Sequence, residues 1–226
     1  MDIIYSIGSG STWDNNELRY SLRSLDIYGK SYDRVFIVGD IPEFLSDEVI
    51  KVPYKETSDN GEYNNISKVY FVMKSYDIDD YVCFMQDDII LQKEYDFSKP
   101  IWTYIHEIYK YDSNDEFYKM LNRTRDKLLS KKKTIYECVT HHPFYYKLSE
   151  IQNVRELLHL KSDLHNFSYY VNMNEIVPVQ SYNAKFNSIE KLSEDMPVIS
   201  LSEKMSNEDM YRYLNKKFDK KSKFEI

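Results

Sequence analysis

The chain has 226 residues, a formal net charge of −7, 42% hydrophobic residues and 15% aromatic residues. That length supports one large domain, or one domain with a small appendage, around a real apolar core. The acidic balance argues against broad, non-specific nucleic-acid binding, which depends on neutralising phosphates.

Ile3-Ile4-Tyr5-Ser6-Ile7 reads as a short apolar strand, broken by Gly8-Ser9-Gly10-Ser11 and a polar loop to Asp14. Leu18, Leu22 and Leu25 recur at spacings of four and three, the face of an amphipathic helix. Asp14 or Asn15 is placed to cap it, and Gly29 to end it. Arg34 to Asp40 is apolar almost throughout, as a strand covered on both faces would be. Pro42 to Leu45 reads as a turn, and Val49 to Tyr54 as a third strand. A polar loop over 55–63 leads to a helix expected from Asn65 to Tyr76, with Ile66, Val69, Tyr70 and Met73 on its apolar face. The apolar run Tyr81 to Met85 follows. This β-α-β-β-α-β order predicts an α/β fold with a mixed, mainly parallel sheet flanked by helices. Ligands of such sheets bind beyond the carboxyl ends of the strands, where the Ser6–Ser11 loop, Asp40 and Asp87-Asp88 fall.

Beyond Leu91 the pattern weakens. Residues 101–111 and 115–130 read as helical or irregular, and 112–133 as a mobile loop or insertion. Glu137 to Tyr146 reads as one strand, Leu148 to Leu160 as a helix, and Ile176 to Val179 and Val198 to Leu201 as short strands. Ser206 or Asn207 would cap a last helix over Met210 to Phe218, with Glu208 and Asp209 at its positive end.

Asp87-Asp88 stands between two apolar runs, Tyr81 to Met85 and Ile89 to Leu91. Adjacent carboxylates delivered by a buried strand are costly unless neutralised. Hard oxygen ligands suit Mg²⁺ or Mn²⁺, and a diphosphate would complete the shell. Adjacent strand-end acids are also ordinary caps and turn residues. His141-His142-Pro143 is the second constellation. The residue before proline is pushed towards extended backbone, so alternation would send the two rings to opposite faces. One imidazole could then serve as a metal ligand or a base, the alternative being a hydrogen-bonded structural pair. Asn64, Asn65 and Lys68 at a helix start suit either an anion or a capped surface helix.

Two cysteines, Cys83 and Cys138, show no metal spacing, and Cys138 three residues from His141 is poorly placed for a nucleophile pair. No P-loop, G-x-G-x-x-G or G-x-S-x-G sequence occurs. Among 22 tyrosines and 5 glycines no repeat stands out. Lys131-Lys132-Lys133, Lys216-Lys217 and Lys220-Lys221-Ser222-Lys223 are candidate basic patches, though such runs are usually solvated surface. The first residues read as a strand and not a signal peptide, and no run of about 18 apolar residues appears. A cytoplasmic protein with no membrane span is expected.

Taken together, these segments resemble small phage and bacterial glycosyltransferases of the GT-A type, related to the Stealth sugar-phosphate transferases. The resemblance rests on Asp2-Ile3-Ile4-Tyr5, on the run from Asp14 to Leu25, on Arg34 to Gly39 and on Ile41 to Leu45. It continues in Asn65 and Lys68, in Gln86-Asp87-Asp88-Ile89-Ile90-Leu91, in His141-His142-Pro143 and in Lys220 to Glu225. Gln86 departs from the Asn or Asp usual at its place, and Stealth enzymes are much longer. The resemblance implies a GT-A-like fold with a nucleotide-sugar-binding half, 1–92, and an acceptor half with a C-terminal closing segment, 93–226. It implies a nucleotide-diphosphate sugar donor and a Mn²⁺ or Mg²⁺ ion held by Asp88 and His141, with Asp87 as ligand or ribose contact. Tyr5 and the loop from Ser6 to Asp14 would bind the nucleotide, with Asn65 on the donor side. Lys68 and Lys223 would neutralise phosphate, the latter on a mobile tail. Candidate acceptors are a hydroxymethylated pyrimidine in phage DNA, a surface polysaccharide or a small molecule; Glu175, Glu194 and Asp195 are candidate bases. The alternatives are sugar-phosphate transfer and a non-catalytic glycan- or partner-binding module.

Overall fold

The computed structural model describes all residues except 9, 79, 99–101, 108–111, 113, 131–135, 139–140, 161–177, 181–184, 187–194 and 202–206. The first half runs β1 (Asp2–Ile7), α1 (Asn16–Tyr28), β2 (Gly29–Lys30), β3 (Val35–Gly39), β4 (Ile50–Pro53), α2 (Gly61–Ser75), β5 (Val82–Met85) and β6 (Ile89–Leu91). The second runs β7 (Tyr95–Asp96), β8 (Trp102–Glu107), α3 (Glu116–Leu129), β9 (Tyr136–Cys138), β10 (Phe144–Tyr146) and α4 (Leu148–Leu160). It closes with β11 (Pro178–Gln180), β12 (Lys185–Phe186), β13 (Val198–Leu201) and α5 (Asn207–Lys217).

A five-stranded sheet in the order β10-β5-β1-β3-β4 forms the centre. Its β1, β3, β4 and β5 are parallel, and β10 joins antiparallel to β5. Every residue of β1, β3 and β5 is buried, as the unbroken apolar runs require of strands covered on both faces. Neighbouring side chains of β1 show which helix covers which face. Tyr5 meets Ser21 of α1 at 3.1 Å, and Ser6 donates to Asn65 of α2 at 2.8 Å. Successive strand residues point to opposite faces, so α1 and α2 flank the sheet on its two sides. A second sheet, β12-β13-β6, carries β6 onwards from the central sheet, with β13 antiparallel to it.

Several expectations need correction. The helix α2 begins at Gly61, four residues before Asn65, because Asn60 Oδ1 accepts the Glu62 and Tyr63 amides at 3.0 and 3.2 Å. Asp14 and Asn15 do not cap α1 with their side chains: both adopt left-handed backbone (φ 53° and 55°), and Asn15 makes no capping bond. Ser11 organises that loop instead, accepting from the Trp13 and Asn15 amides. Residues 102–107 form a strand, supported by pairing to distant β9 and β11 that local spacing cannot reveal. Within 112–133, read both as helical or irregular over 115–130 and as a mobile loop or insertion, the helix α3 agrees with the first reading. The single strand expected over Glu137 to Tyr146 is two strands, β9 and β10, in different sheets. Pro143, which has no N–H to offer a ladder, lies at the break.

The C-terminal segment is also not a loose flap. Glu225, buried at its carboxylate, takes a bidentate pair from Arg23 (2.9 Å twice), a bond from Arg19 (3.2 Å) and the Ser222 amide (3.0 Å). Ile226 N–H donates to Phe44 and Ser46 N–H to Phe224, strapping the tail to the 44–46 segment. Burial opposes the Glu225 charge, but the bonds from Arg23 and Ser222 outweigh it and hold its pKa below the usual value. A depressed carboxyl pKa contributes stability above the unfolded pKa that is lost as pH falls through the folded one. Glu225→Gln is therefore expected to destabilise the protein by about 1–2 kcal/mol at pH 7, with the difference shrinking below pH 4 in urea titrations. An equal loss at both pH values would mean the charge contributes nothing.

Candidate active site

The strand order reverses at β1. From β1 the chain passes to β3 and β4 on one side, then returns through α2 to β5 on the other. Such a reversal opens a crevice between the carboxyl ends of the two strands that part company, here β1 and β5. The segment 10–15 follows β1 on one side of it and Gln86-Asp87-Asp88 follows β5 on the other.

Asp87 and Asp88 are the central residues of a turn closed by Ile89 N–H to Gln86 C=O at 3.2 Å. They are thus turn residues as well as candidate ligands. Two side chains on one stripe of α1 hold this turn against the helix, and a third, Glu17, shares the stripe. Ser21 Oγ donates to Ile89 C=O at 2.5 Å, Ser24 Oγ accepts from Leu91 N–H at 2.9 Å, and Glu17 lies one turn before Ser21. The 17, 21, 24 spacing keeps all three on one face. Glu17 therefore joins Asp87, and its charge acts on that carboxyl. Burial first, then Asp88 and then Glu17, push Asp87 from 3.8 up to about 7. Its own amide and that of Asp88 offset part of the shift.

Asp88 and His141, 53 positions apart in the chain, are joined through Ser200 of β13. Ser200 Oγ lies 2.6 Å from Asp88 Oδ2 and 3.1 Å from His141 Nδ1. The ladder of β6 and β13 sets this contact: Ser200 pairs with Ile89, and Leu201 N–H donates to Asp88 C=O at 3.1 Å. His142 is 4% exposed and packs inward. The two histidines stand in a turn and a bend and not in extended strand, so the alternation expected of them does not apply.

Other expected residues fall elsewhere. Tyr5 has no exposed surface for a nucleotide; Ser21 gives its proton to Ile89, so the phenol donates to Ser21, and burial pushes its pKa up. Lys68 is 1% exposed and its ammonium bonds Ile7 C=O (2.8 Å) and Glu56 Oε1 (2.6 Å), so its charge is matched within the protein. Asn65 accepts from Ser6 on the α2 side of the sheet. Asp14 is exposed and its carboxylate has no hydrogen bond or ion pair among the described residues. Lys223 reaches Asp26 (3.7 Å) and the Tyr32 ring. At about 100° per residue, Arg19, Arg23 and Asp26 lie on the opposite side of α1 from Glu17 and Ser21. The tail and Lys223 are therefore behind the helix, away from the acids. Asp195 is exposed and pairs with Lys93 at 3.3 Å. Glu175, Glu194 and Lys131–Lys133 lie outside the described residues.

A cleft of about 630 Å³ opens beside the crevice, lined by Ile7, Gly8, Gly39, Asp40, Pro53, Tyr54, Lys55 and Glu56. Its floor is bare backbone where β1 and β3 close together. A Cβ on Gly39 (φ 127°) would stand 1.9 Å from Ile7 O, so only glycine fits. Glu56, held by Lys68 and by Asn64 Nδ2 (3.2 Å), forms one wall.

Whether these residues suit a divalent cation can be judged from their acceptors. Glu17 Oε2, Gln86 Oε1 and Asn15 Oδ1 are buried with no hydrogen-bond partner, an arrangement that costs about 1–3 kcal/mol per group. Glu17 also acts on the raised Asp87, and oxygens of these types are the hard ligands that suit Mg²⁺ or Mn²⁺. Among the described residues no group of three or more His, Cys, Asp and Glu side chains forms a ready cage. Mg²⁺ sites commonly use one or two protein carboxylates and take the rest from water and substrate phosphate, and the donor set fits that kind.

Sequence reading missed Glu17 and Ser200. The Glu17-Ser21-Ser24 stripe was visible as a polar line on a helix otherwise read by its leucines. Ser200 was visible as the lone hydroxyl in Val198-Ile199-Ser200-Leu201. The chain matches no known family model, and no curated protein is significantly similar to it. Among the described residues no helix is long and apolar enough to cross a membrane.

Proposed function

We propose that this protein is a GT-A-like, metal-dependent glycosyltransferase that moves a sugar from a nucleotide-sugar donor to an acceptor hydroxyl. The observation that carries the reading is the Asp88–Ser200–His141 chain beside Asp87, at the carboxyl edge where the strand order reverses. The nucleoside belongs in the cleft next to it. Asp40 and Glu56 offer acceptors to ribose hydroxyls or base N–H groups, and Tyr54 offers a ring face. A cation held at the Asp87-Asp88 turn would draw the diphosphate to that side of the cleft.

Asp88 and His141 would hold the cation, with Asp87 beside them. A bound Mn²⁺ or Mg²⁺ supplies Lewis-acid stabilisation of the charge that develops on the departing diphosphate. The chain's own part is to bring the ligands together before substrate arrives: α1 fixes the turn through Ser21 and Ser24, and β13 fixes Asp88 and His141 through Ser200. A hydroxymethylated pyrimidine in phage DNA and a polysaccharide hydroxyl are the acceptors carried forward.

Incubation with a panel of nucleotide sugars and both acceptor classes, with Mn²⁺, tests the reading. Release of a nucleoside diphosphate is the expected result. Release of a monophosphate would indicate sugar-phosphate transfer, and no turnover with any donor would favour a binding module.

A further inference from the structure

We propose that Ser200 is a positioning residue that fixes the tautomer of His141 and couples it to Asp88. The inference rests on the reading of Asp88 and His141 as partners in one site, but its first test does not need a metal or a donor.

The hydroxyl of Ser200 has one proton and stands within hydrogen-bond distance of two acceptor-capable groups. An ionised carboxylate can only accept. The short 2.6 Å contact therefore takes the serine proton to Asp88 Oδ2. Nothing remains for Ser200 to donate to His141, so the 3.1 Å contact must run the other way, with His141 Nδ1–H donating to Ser200 Oγ. A neutral imidazole protonated at Nδ1 carries its lone pair on Nε2. Ser200 thus selects Nε2 as the nitrogen able to face a cation or take a proton, by a hydrogen bond from the far side of the ring. Metal-binding histidines are ordinarily oriented in this manner by a partner on the other nitrogen.

The placement of Ser200 suits this role. It has no exposed surface, sits inside an otherwise apolar strand, and is held in register by its pairing with Ile89. A hydroxyl buried among Val198, Ile199 and Leu201 costs free energy unless both its hydrogen-bonding capacities are used. Here Asp88 uses one and His141 the other. Because the same hydroxyl serves both, an ionised Asp88 favours a His141 protonated at Nδ1.

The experiment is long-range ¹⁵N–¹H NMR of the histidine rings at a pH where they are neutral, with His141 assigned by its loss in His141→Gln. The wild-type protein is expected to show His141 as the Nδ1–H tautomer. Ser200→Ala is expected to lose that preference, and Ser200→Thr, which keeps the hydroxyl, to restore it. Mn²⁺ alone should then bind Ser200→Ala about 10-fold more weakly than wild type, the usual scale for such partners, with Ser200→Thr close to wild type. An Nε2–H tautomer in the wild type, or an unchanged tautomer in a folded Ser200→Ala, overturns the proposal. A tautomer shift in Ser200→Ala with no Mn²⁺ binding by the wild type would support the role of Ser200 and sink the cation reading instead.

Discussion

Replacing Asp88 with asparagine is expected to lower donor-dependent turnover by about a thousandfold while leaving the fold intact, the scale seen when a group stabilising developing charge is removed. The fold should survive because the structural bonds of this position do not need the charge. The Asp88 carbonyl still accepts from Leu201, and an amide oxygen can still accept from Ser200. What is lost is one of two adjacent carboxylates of the Gln86–Ile89 turn. The neutral amide oxygen left at position 88 is a poorer ligand than a carboxylate for a hard divalent ion. Rates with saturating Mn²⁺, beside circular dichroism of the variant, check this. Asp88→Asn that kept full metal-dependent turnover would contradict the assignment.

Asp87→Asn should raise the stability of the metal-free protein. Asp87 stands at about 7 in the folded protein against 3.8 as a free side chain, because burial, then Asp88, then Glu17 disfavour its charge. A raised carboxyl pKa means that the folded state holds a proton the unfolded state has released. Stability therefore falls as pH rises from 3.8 to about 7, and the full penalty stays above that. Removing the charge should stabilise the metal-free protein by roughly 2–4 kcal/mol at pH 8 and by little at pH 4. Urea unfolding at the two pH values reads it. A variant less stable than wild type at pH 8 would mean that Asp87 is stabilised as an anion by something other than its own and the Asp88 amides.

The central sheet was legible because its strands are locally distinctive. The runs Ile3 to Ile7, Val35 to Val38 and Val82 to Met85 are apolar enough to demand cover on both faces, and the Leu18, Leu22, Leu25 stripe supplies cover of the right period. Asp87, Asp88 and His141 were singled out by residue type and spacing alone. Their connection was not, because Ser200 lies 59 and 112 residues from its partners and only strand pairing brings it there. Tyr5 and Lys68 were misplaced for a shared reason. Each sits at a strand or helix position next to the crevice, but which way it turns depends on partners such as Ser21 and Glu56 that composition does not reveal. Lys223 was misplaced because sequence does not say on which side of α1 the tail runs.

The most direct test of the cation-and-donor reading is thermal unfolding of wild type and Asp88→Asn with nucleoside diphosphates, with and without Mn²⁺. A diphosphate held at about 100 times its Kd should stabilise the wild type by about 2.7 kcal/mol, a rise of roughly 5–10 °C for a chain of this size. The rise should need Mn²⁺ and should disappear in Asp88→Asn. Unchanged wild-type midpoints with every diphosphate, or equal shifts in the variant, would contradict the account.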